Sequence, residues 1–223
     1  MTALFRYQAD LLLRSQRWLP PFILYAAFLA IGVQGGQPVL DSLGYAAAAV
    51  LPVAAWLVRI CATNEPPAAR SCVGAAAGPG RAHLACLLVA LSASALIGTA
   101  STLVVTVISD PRSTDHQTRL PVFEAGAAGL LAVLACALLG TAVGALTTWP
   151  LLNSPGRAIP AMLLAVLLGL VVTGSPAQAA ITGLITGSQE GRVPVPLLPL
   201  AAAALLAAAA TAAACALTTR RSP

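Results

Sequence analysis

The stretch NEPPAARSCVGAAAGPGR, residues 64–81, is the one long break between two strongly apolar runs in the first half of the chain. A Pro-Pro pair near its start suits the first turn of a helix, where backbone N–H groups have no helical partner. Gly78, Pro79 and Gly80 then end that helix. If the flanking runs cross a bilayer, the stretch predicts a short helix lying at the cytoplasmic surface between the two crossings.

The composition of the 223-residue chain favours a membrane protein. Hydrophobic residues make up 58% of it and charged residues only 9%, whereas soluble domains carry about 25% charged residues. We therefore expect residues 1–223 to form a single transmembrane domain that is all-α. All twelve basic residues are arginines, and all but Arg59 lie outside the apolar runs. The positive net charge thus indicates orientation in a bilayer, and no nucleic acid partner is expected.

Six apolar segments predict six transmembrane helices, each close to the roughly 20 residues that a helical crossing needs, with the first and fifth short. They cover residues 18–33, 43–62, 82–109, 122–147 and 158–173, and a stretch that begins after Pro199 and ends near residue 217. With the N-terminus inside, nine arginines face the cytoplasm, and only Arg112, Arg119 and Arg192 face outwards. This bias predicts a multi-pass protein of the cytoplasmic membrane with both termini cytoplasmic.

Residues 1–17 predict an amphipathic helix that lies in the membrane interface. At 100° per residue, its charged residues fall within an arc of roughly 80°; they are Arg6, Asp10, Arg14 and Arg17. Leucines, Tyr7 and Trp18 occupy the opposite side. Such a helix directs its arginines towards anionic headgroups and its leucines towards acyl chains. The alternative is an ordinary cytoplasmic lead-in.

Residues 175–190, between the fifth and sixth predicted spans, are unusual for a connection. The part SPAQAAITGLITGS, residues 175–188, is too apolar for a free loop and too short to cross a bilayer. It predicts an outer re-entrant segment. The alternative is a fifth helix that extends past the membrane.

The spans carry two features of packing. Gly140 and Gly144 form a GxxxG pattern in the fourth span, and small residues at this spacing let helix backbones approach closely. The third span carries a series of hydroxyl side chains: Ser92, Ser94, Thr99, Ser101, Thr102 and Thr106. Their hydroxyls either line a mildly polar path or bond back to the helix backbone.

Motifs for chemistry are missing from the sequence. A P-loop requires lysine, which the chain lacks, and no HExxH or EF-hand pattern occurs. His83 and His116 are predicted on opposite sides of the membrane, and the five cysteines fit neither a zinc site nor a disulfide framework. We predict no catalytic, metal-binding or cofactor-binding residue. No carboxylate lies in the middle of a predicted span, which disfavours ion-coupled transport.

Taken in order, these parts resemble the permease subunit of an ABC-2 type ABC exporter. That family has an amphipathic lead-in helix, six spans with both ends inside, a cytoplasmic helix between spans two and three, and an outer re-entrant segment between spans five and six. The nearest local likeness is TNEPPAARSCVGAAAGPGRAHLACLL, residues 63–88, where the family has its coupling helix, a Pro/Gly turn and a basic residue. Here the coupling segment is rich in alanine and has one acidic residue, Glu65.

The resemblance implies a function and a set of partners. The chain would pair with a second copy or a paralogue and dock on separate ABC ATPase subunits, which bind ATP and Mg²⁺. It would itself be no enzyme, and would export a small amphipathic or apolar substrate. Within the coupling segment, residues 63–81, the ATPase contacts would be Glu65, Pro66, Arg70 and Arg81. An outer lid would contain Ile181, Leu184 and Ile185. The alternative is a non-transporting integral membrane scaffold or an immunity protein, which needs no ATPase.

Overall fold

A computed structural model of the chain describes residues 1–148 and 154–221, and these residues form nine α-helices. The helices are α1 (Thr2–Ser15), α2 (Leu19–Gly32), α3 (Val39–Asn64), α4 (Pro67–Ala77), α5 (Pro79–Ile108), α6 (Val122–Leu146), α7 (Pro155–Val171), α8 (Pro176–Glu190) and α9 (Leu197–Arg221). Their length and apolar character confirm the prediction of an all-helical, multi-pass membrane protein.

The described residues contain five stretches long and apolar enough to cross a bilayer, where the sequence predicts six. They are Val39–Asn64, Pro79–Ile108, Val122–Leu146, Gly156–Glu190 and Leu197–Arg220. The first predicted span corresponds to α2, which has 14 residues and is about 21 Å long at 1.5 Å per residue. It falls short of the hydrocarbon thickness of roughly 30 Å.

The centre of the fold is the contact between α3 and α6, which hold most of the fully buried side chains. A Cβ atom at Gly140 would lie 2.4 Å from the backbone oxygen of Leu51, and one at Gly144 would lie 2.6 Å from Cβ of Val58. Both glycines therefore lie directly against α3, where any larger residue would separate the two backbones.

The hydroxyl groups of α5 bond to the backbone of their own helix. Each donates a hydrogen bond of 2.7–2.9 Å to the carbonyl oxygen three or four residues earlier; the residues are Ser92, Ser94, Thr99, Ser101, Thr102 and Thr106. Of the two alternatives left by the sequence, the structure shows backbone bonding. Ser101 also lies 2.6 Å from the hydroxyl of Tyr25, which joins α2 to α5.

The helices meet at two ends of the bundle that differ in composition. At the loop end, formed by residues 33–38, 109–121 and 191–196, the backbone N–H of Val39 donates to the oxygen of Asp110 at 3.0 Å. At the α4 end, α1, α4 and the last turn of α9 come together. Tyr7 of α1 contacts Glu65 there, and a Cβ at Gly80 would lie 2.9 Å from Oγ1 of Thr219. Both terminal helices thus reach the α4 end.

A break separates α7 from α8, at the place where the sequence predicts the fifth span and the outer segment to meet. Gly174 has φ +98°, a conformation that favours glycine, and the hydroxyl of Ser175 donates to the backbone oxygen of Gly169 at 2.5 Å. The segment 175–190 is therefore a separate helix, not a straight extension of α7. It packs against α3, α6 and α9.

Candidate functional site

The junction between α3 and α4 is covered by α1. The hydroxyl of Tyr7 donates to Oε1 of Glu65 at 3.1 Å, and Nε2 of Gln8 donates to Oε2 at 3.3 Å. Asn64 extends the contact by donating from Nδ2 to the backbone oxygen of Leu11 at 3.0 Å. Partial burial, with the hydrogen bond to Glu65, raises the pKa of Tyr7 above its ordinary value. The phenol therefore stays protonated and remains a donor at neutral pH.

Glu65 is only 7% exposed and Gln8 only 3%. A carboxylate buried to this degree is favourable only with hydrogen-bond partners, and α1 supplies two of them. The predicted role of Glu65, direct contact with a soluble subunit, does not fit a side chain enclosed in this way. In the structure its carboxylate holds α1 at the junction between α3 and α4.

Arg70 is half-buried and points back to the end of α3. Its Nη2 donates to the backbone oxygen of Ala62 at 2.8 Å and to that of Glu65 at 3.2 Å. The last carbonyl groups of a helix lack helical partners and carry partial negative charge, so a guanidinium group there is stabilising. Arg70 therefore joins α4 firmly to α3.

The remaining predicted contact residues lie at the surface. Pro66 and Arg81 are exposed, and no residue of α4 is buried. A turn at Gly78, with φ +89°, leads directly from α4 into α5. Pro66, the outer side of α4 and Arg81 thus form an accessible surface, hereafter the α4 surface, held between two apolar helices.

A cavity of about 510 Å³ lies beneath α4. Its wall comes from α1, α3, α4, α5 and α9, and it includes the polar residues Gln8, Glu65, Arg70, His83 and Thr218, as well as Cys61 and Cys86. His83 is 8% exposed, and its Nε2 atom is buried without a hydrogen-bond partner among the described residues. Within those same residues, no three His, Cys, Asp or Glu side chains are grouped to hold a metal ion.

The residues predicted for the outer lid contribute to the packing of α8. Leu184 is fully buried in the core, while Ile181 and Ile185 lie along α3, about 3.7 Å from a Cβ placed at Gly44. Near the C-terminal end of α8, the hydroxyl of Ser188 lies 2.9 Å from the hydroxyl of Thr114. These residues therefore lie against α3 at the loop end, which is the opposite end of the bundle from the α4 surface.

Two residues of the site, Gln8 and His83, were not singled out from the sequence for these roles. Gln8 did leave a signal: at 100° per residue it falls among Leu4, Leu11 and Leu12 on the apolar side of α1. A polar side chain in the middle of an apolar face indicates a buried partner. His83 carries no such pattern, because its orphaned nitrogen depends on how five helices meet.

Comparison with known proteins found no match: no family model, no curated protein and no solved structure matches the chain. Its function therefore has to be inferred from the residues and their arrangement.

Proposed function

We propose that this chain is the membrane-spanning permease subunit of an ATP-driven exporter of the ABC-2 type. The observation that carries the proposal is α4, an 11-residue helix without a buried residue, held between two helices that are long and apolar enough to cross a bilayer. A helix in this position can receive force from a soluble partner and pass it to both neighbours. The chain has no P-loop lysine of its own, so ATP and Mg²⁺ belong to a separate ATPase subunit.

The connections of α4 support a role in transmitting force. Arg70 fixes its start to the last carbonyl groups of α3, and a single glycine turn at Gly78 joins its end to α5. A push on the α4 surface therefore reaches α3 and α5 without passing through a flexible linker. We assign the ATPase contact to Pro66, the outer side of α4 and Arg81, with Glu65 and Arg70 as positioning residues.

Six crossings with both termini cytoplasmic are the topology that we propose. The path of α2 supports this count: α1 lies at the α4 end, while α3 begins at the loop end beside Asp110. α2 therefore runs between the two ends despite its 14 residues, and local thinning of the bilayer accommodates short helices of this kind. The fifth crossing is α7, with α8 folding back from the outer side.

The exporter would contain two permease subunits and move a small amphipathic or apolar substrate across the cytoplasmic membrane. Pairing with a second copy or a paralogue is supported by the two least buried of the five apolar stretches. In their most apolar parts, Gly156–Glu190, which contains α7 and α8, is 17% buried and Leu197–Arg220 is 22% buried. α9 is rich in alanine, and small residues favour close contact between helices in a membrane.

Affinity purification of the tagged chain from its native membranes tests the proposal. We expect an ATPase subunit with Walker motifs to co-purify with the unmodified chain. Arg81→Glu and Cys72→Arg change exposed positions on or beside the α4 surface, and we expect each to lower the recovered ATPase about 10-fold. The matched control is Arg119→Glu, an exposed arginine at the loop end, which should leave recovery unchanged.

Other outcomes of the purification would contradict either the proposed function or the assigned contact. Recovery of a membrane protein without any ATPase would favour the scaffold or immunity protein instead. Recovery of an ATPase that is insensitive to both variants of the α4 surface would disprove the assigned contact. Equal loss with Arg119→Glu would show that the effect is not specific to this surface.

A further inference from the structure

The cavity beneath α4 contains a polar atom that the protein does not satisfy. Nε2 of His83 is buried and has no hydrogen-bond partner in the part of the chain that the structure describes, although the residue is only 8% exposed. Leaving a buried polar group unpaired is unfavourable, so an unpaired group in a native protein requires an explanation. One explanation is a bound molecule that supplies the missing hydrogen bond. His83 lines the cavity, so a molecule inside it can supply the missing partner.

The charges around the cavity favour an anionic group over a cationic one. Arg70 lines it together with His83, whose Nε2 is a donor in one of the two neutral tautomers. Among the described residues that form the wall, Glu65 is the only one with a carboxylate, and both of its oxygens accept hydrogen bonds from α1. A negative head would therefore meet the imidazole and a guanidinium whose Nη2 also donates to the backbone oxygens of Ala62 and Glu65, while the carboxylate of Glu65 accepts from α1.

Most of the rest of the wall is apolar and small. Besides Gln8, Ser71 and Thr218, it consists of Gly74 and of cysteines, alanines and prolines: Cys61, Ala62, Pro67, Ala75, Pro79, Ala82 and Cys86. A volume of about 510 Å³ falls within the range of roughly 300–1,000 Å³ of small-molecule sites, which combine an apolar lining with a few placed polar groups. This lining fits a short hydrocarbon body.

We infer that the cavity binds a small amphipathic anion, with its head at Arg70 and His83 and its apolar body along Cys61, Cys86 and Ala82. The bound anion would contact five helices at the α4 end and so stabilise the packing of α1 and α4 against the rest of the bundle. This site lies inside one chain, and the inference does not depend on the proposed ATPase partner. Carboxylate and phosphate heads share this chemistry, so both a free acid and an anionic lipid are possible sources.

Thiol protection in the full-length chain tests the site. The chain is placed in nanodiscs of zwitterionic phosphatidylcholine, and alkylation by N-ethylmaleimide is followed by peptide mass spectrometry. Decanoate should slow the labelling of Cys61 and Cys86 by about 10-fold or more, while Cys72, which is exposed and outside the cavity, keeps its rate. Decanol and decyltrimethylammonium, with the same chain length, should protect much less, since they lack the anionic head.

The thermal midpoint of the same samples provides an independent readout, because a ligand that binds only the folded state raises it. Nanodiscs containing phosphatidylglycerol, without decanoate, distinguish the two sources: protection there assigns the site to a lipid headgroup, and protection by decanoate alone assigns it to a free acid. If neither anion slows labelling or raises the midpoint, the cavity holds only water and the inference is wrong. Equal effects of all three head groups would also overturn it.

Substitutions at His83 test whether the anionic head of the ligand binds there. His83→Leu should weaken decanoate binding about 10-fold or more, because it removes a hydrogen bond to a charged group. His83→Gln keeps a hydrogen-bonding side chain and should stay within about 3-fold of the unmodified chain. Arg81→Met, outside the cavity, is the matched control and should bind normally. Unchanged affinity of His83→Leu would overturn the assignment, and if that variant does not fold, the head-group series decides.

Discussion

The two ends of the helical bundle are held together by different kinds of contact. At the loop end, backbone groups pair across the chain, as between Val39 and Asp110 and between Thr114 and Ser188. At the α4 end, the side chains of Glu65 and Arg70 make the connections, and a cavity lies between them. Side-chain contacts can be exchanged for those of a ligand or partner without moving the backbone. From this difference we propose that the α4 end is the one that changes its contacts during function.

The seam between α3 and α6 connects the two ends, and breaking it should have the largest effect. Gly140→Val would place side-chain atoms where a Cβ alone lies 2.4 Å from the backbone oxygen of Leu51. Backbone cannot yield as a flexible side chain does, so we expect a loss of about 3 kcal/mol in the free energy of unfolding, at the upper end of the usual cost of overpacking. The measurement is the thermal midpoint, together with the yield of monodisperse protein.

Gly183→Ala is the matched control for that substitution. Gly183 is also helical, but an added Cβ would meet no atom within 4 Å, so alanine should be neutral or stabilise the protein by up to about 1 kcal/mol. If Gly140→Val were as stable as Gly183→Ala, the two ends would not be linked through a close α3–α6 contact.

The second prediction separates α1 from the α4 end. Glu65→Ala removes the acceptor of both Tyr7 and Gln8 and leaves the buried amide of Gln8 unpaired, which costs about 1–3 kcal/mol. Hydrogen exchange in residues 2–15 should accelerate by roughly 10-fold or more, since about 1.4 kcal/mol corresponds to a factor of ten. Exchange at residues 110–121 should not change.

Asp10→Ala provides the comparison within α1. Asp10 is an exposed carboxylate of the same helix, so its removal should leave the exchange of α1 within about 2-fold of the unmodified chain. Equal exchange in Glu65→Ala and the unmodified chain would mean that apolar packing of residues such as Leu12, and not the carboxylate, holds α1 in place.

The sequence predicts the central spans well because each is a continuous apolar run with clear stops. Residues 82–109 and 122–147 differ by only a few positions from Pro79–Ile108 and Val122–Leu146. It predicts the bounds of the first span equally well, since residues 18–33 correspond to α2, Leu19–Gly32. That α2 crosses the bilayer stays a prediction, because its 14 residues are fewer than the roughly 20 that a crossing needs. The resemblance to a permease adds roles for these elements but no information on their contacts.

The candidate site was only partly predictable. Position alone indicated that residues 63–81 form a short helix between two spans, and Pro66 and Arg81 are exposed there. The burial of Glu65 was not predicted, because its partners lie 57 and 58 residues away in the chain. Charged residues in a connection between two spans indicate an exposed surface. Only the packing of α1 shows that Glu65 is buried.

The smallest expected effect lies at the loop end. Thr114→Val removes a hydroxyl that donates to Oδ2 of Asp41 at 3.0 Å and lies 2.9 Å from the hydroxyl of Ser188. It keeps the backbone hydrogen bond of 3.1 Å from residue 114 to Ser188. Because Thr114 is exposed and the backbone bond remains, we expect a cost of about 1 kcal/mol or less. Exchange in α8 should therefore accelerate by no more than about 5-fold.

Thr182→Val is the control for the loop end, since the hydroxyl of Thr182 bonds only to Gln178 of its own helix among the hydrogen bonds described for it. This variant should leave the exchange of α8 unchanged. If Thr114→Val instead loosened α8 as strongly as Glu65→Ala loosens α1, side chains would be holding both ends. The α4 end would then have no special capacity to exchange its contacts, and a partner or ligand acting there would need another explanation.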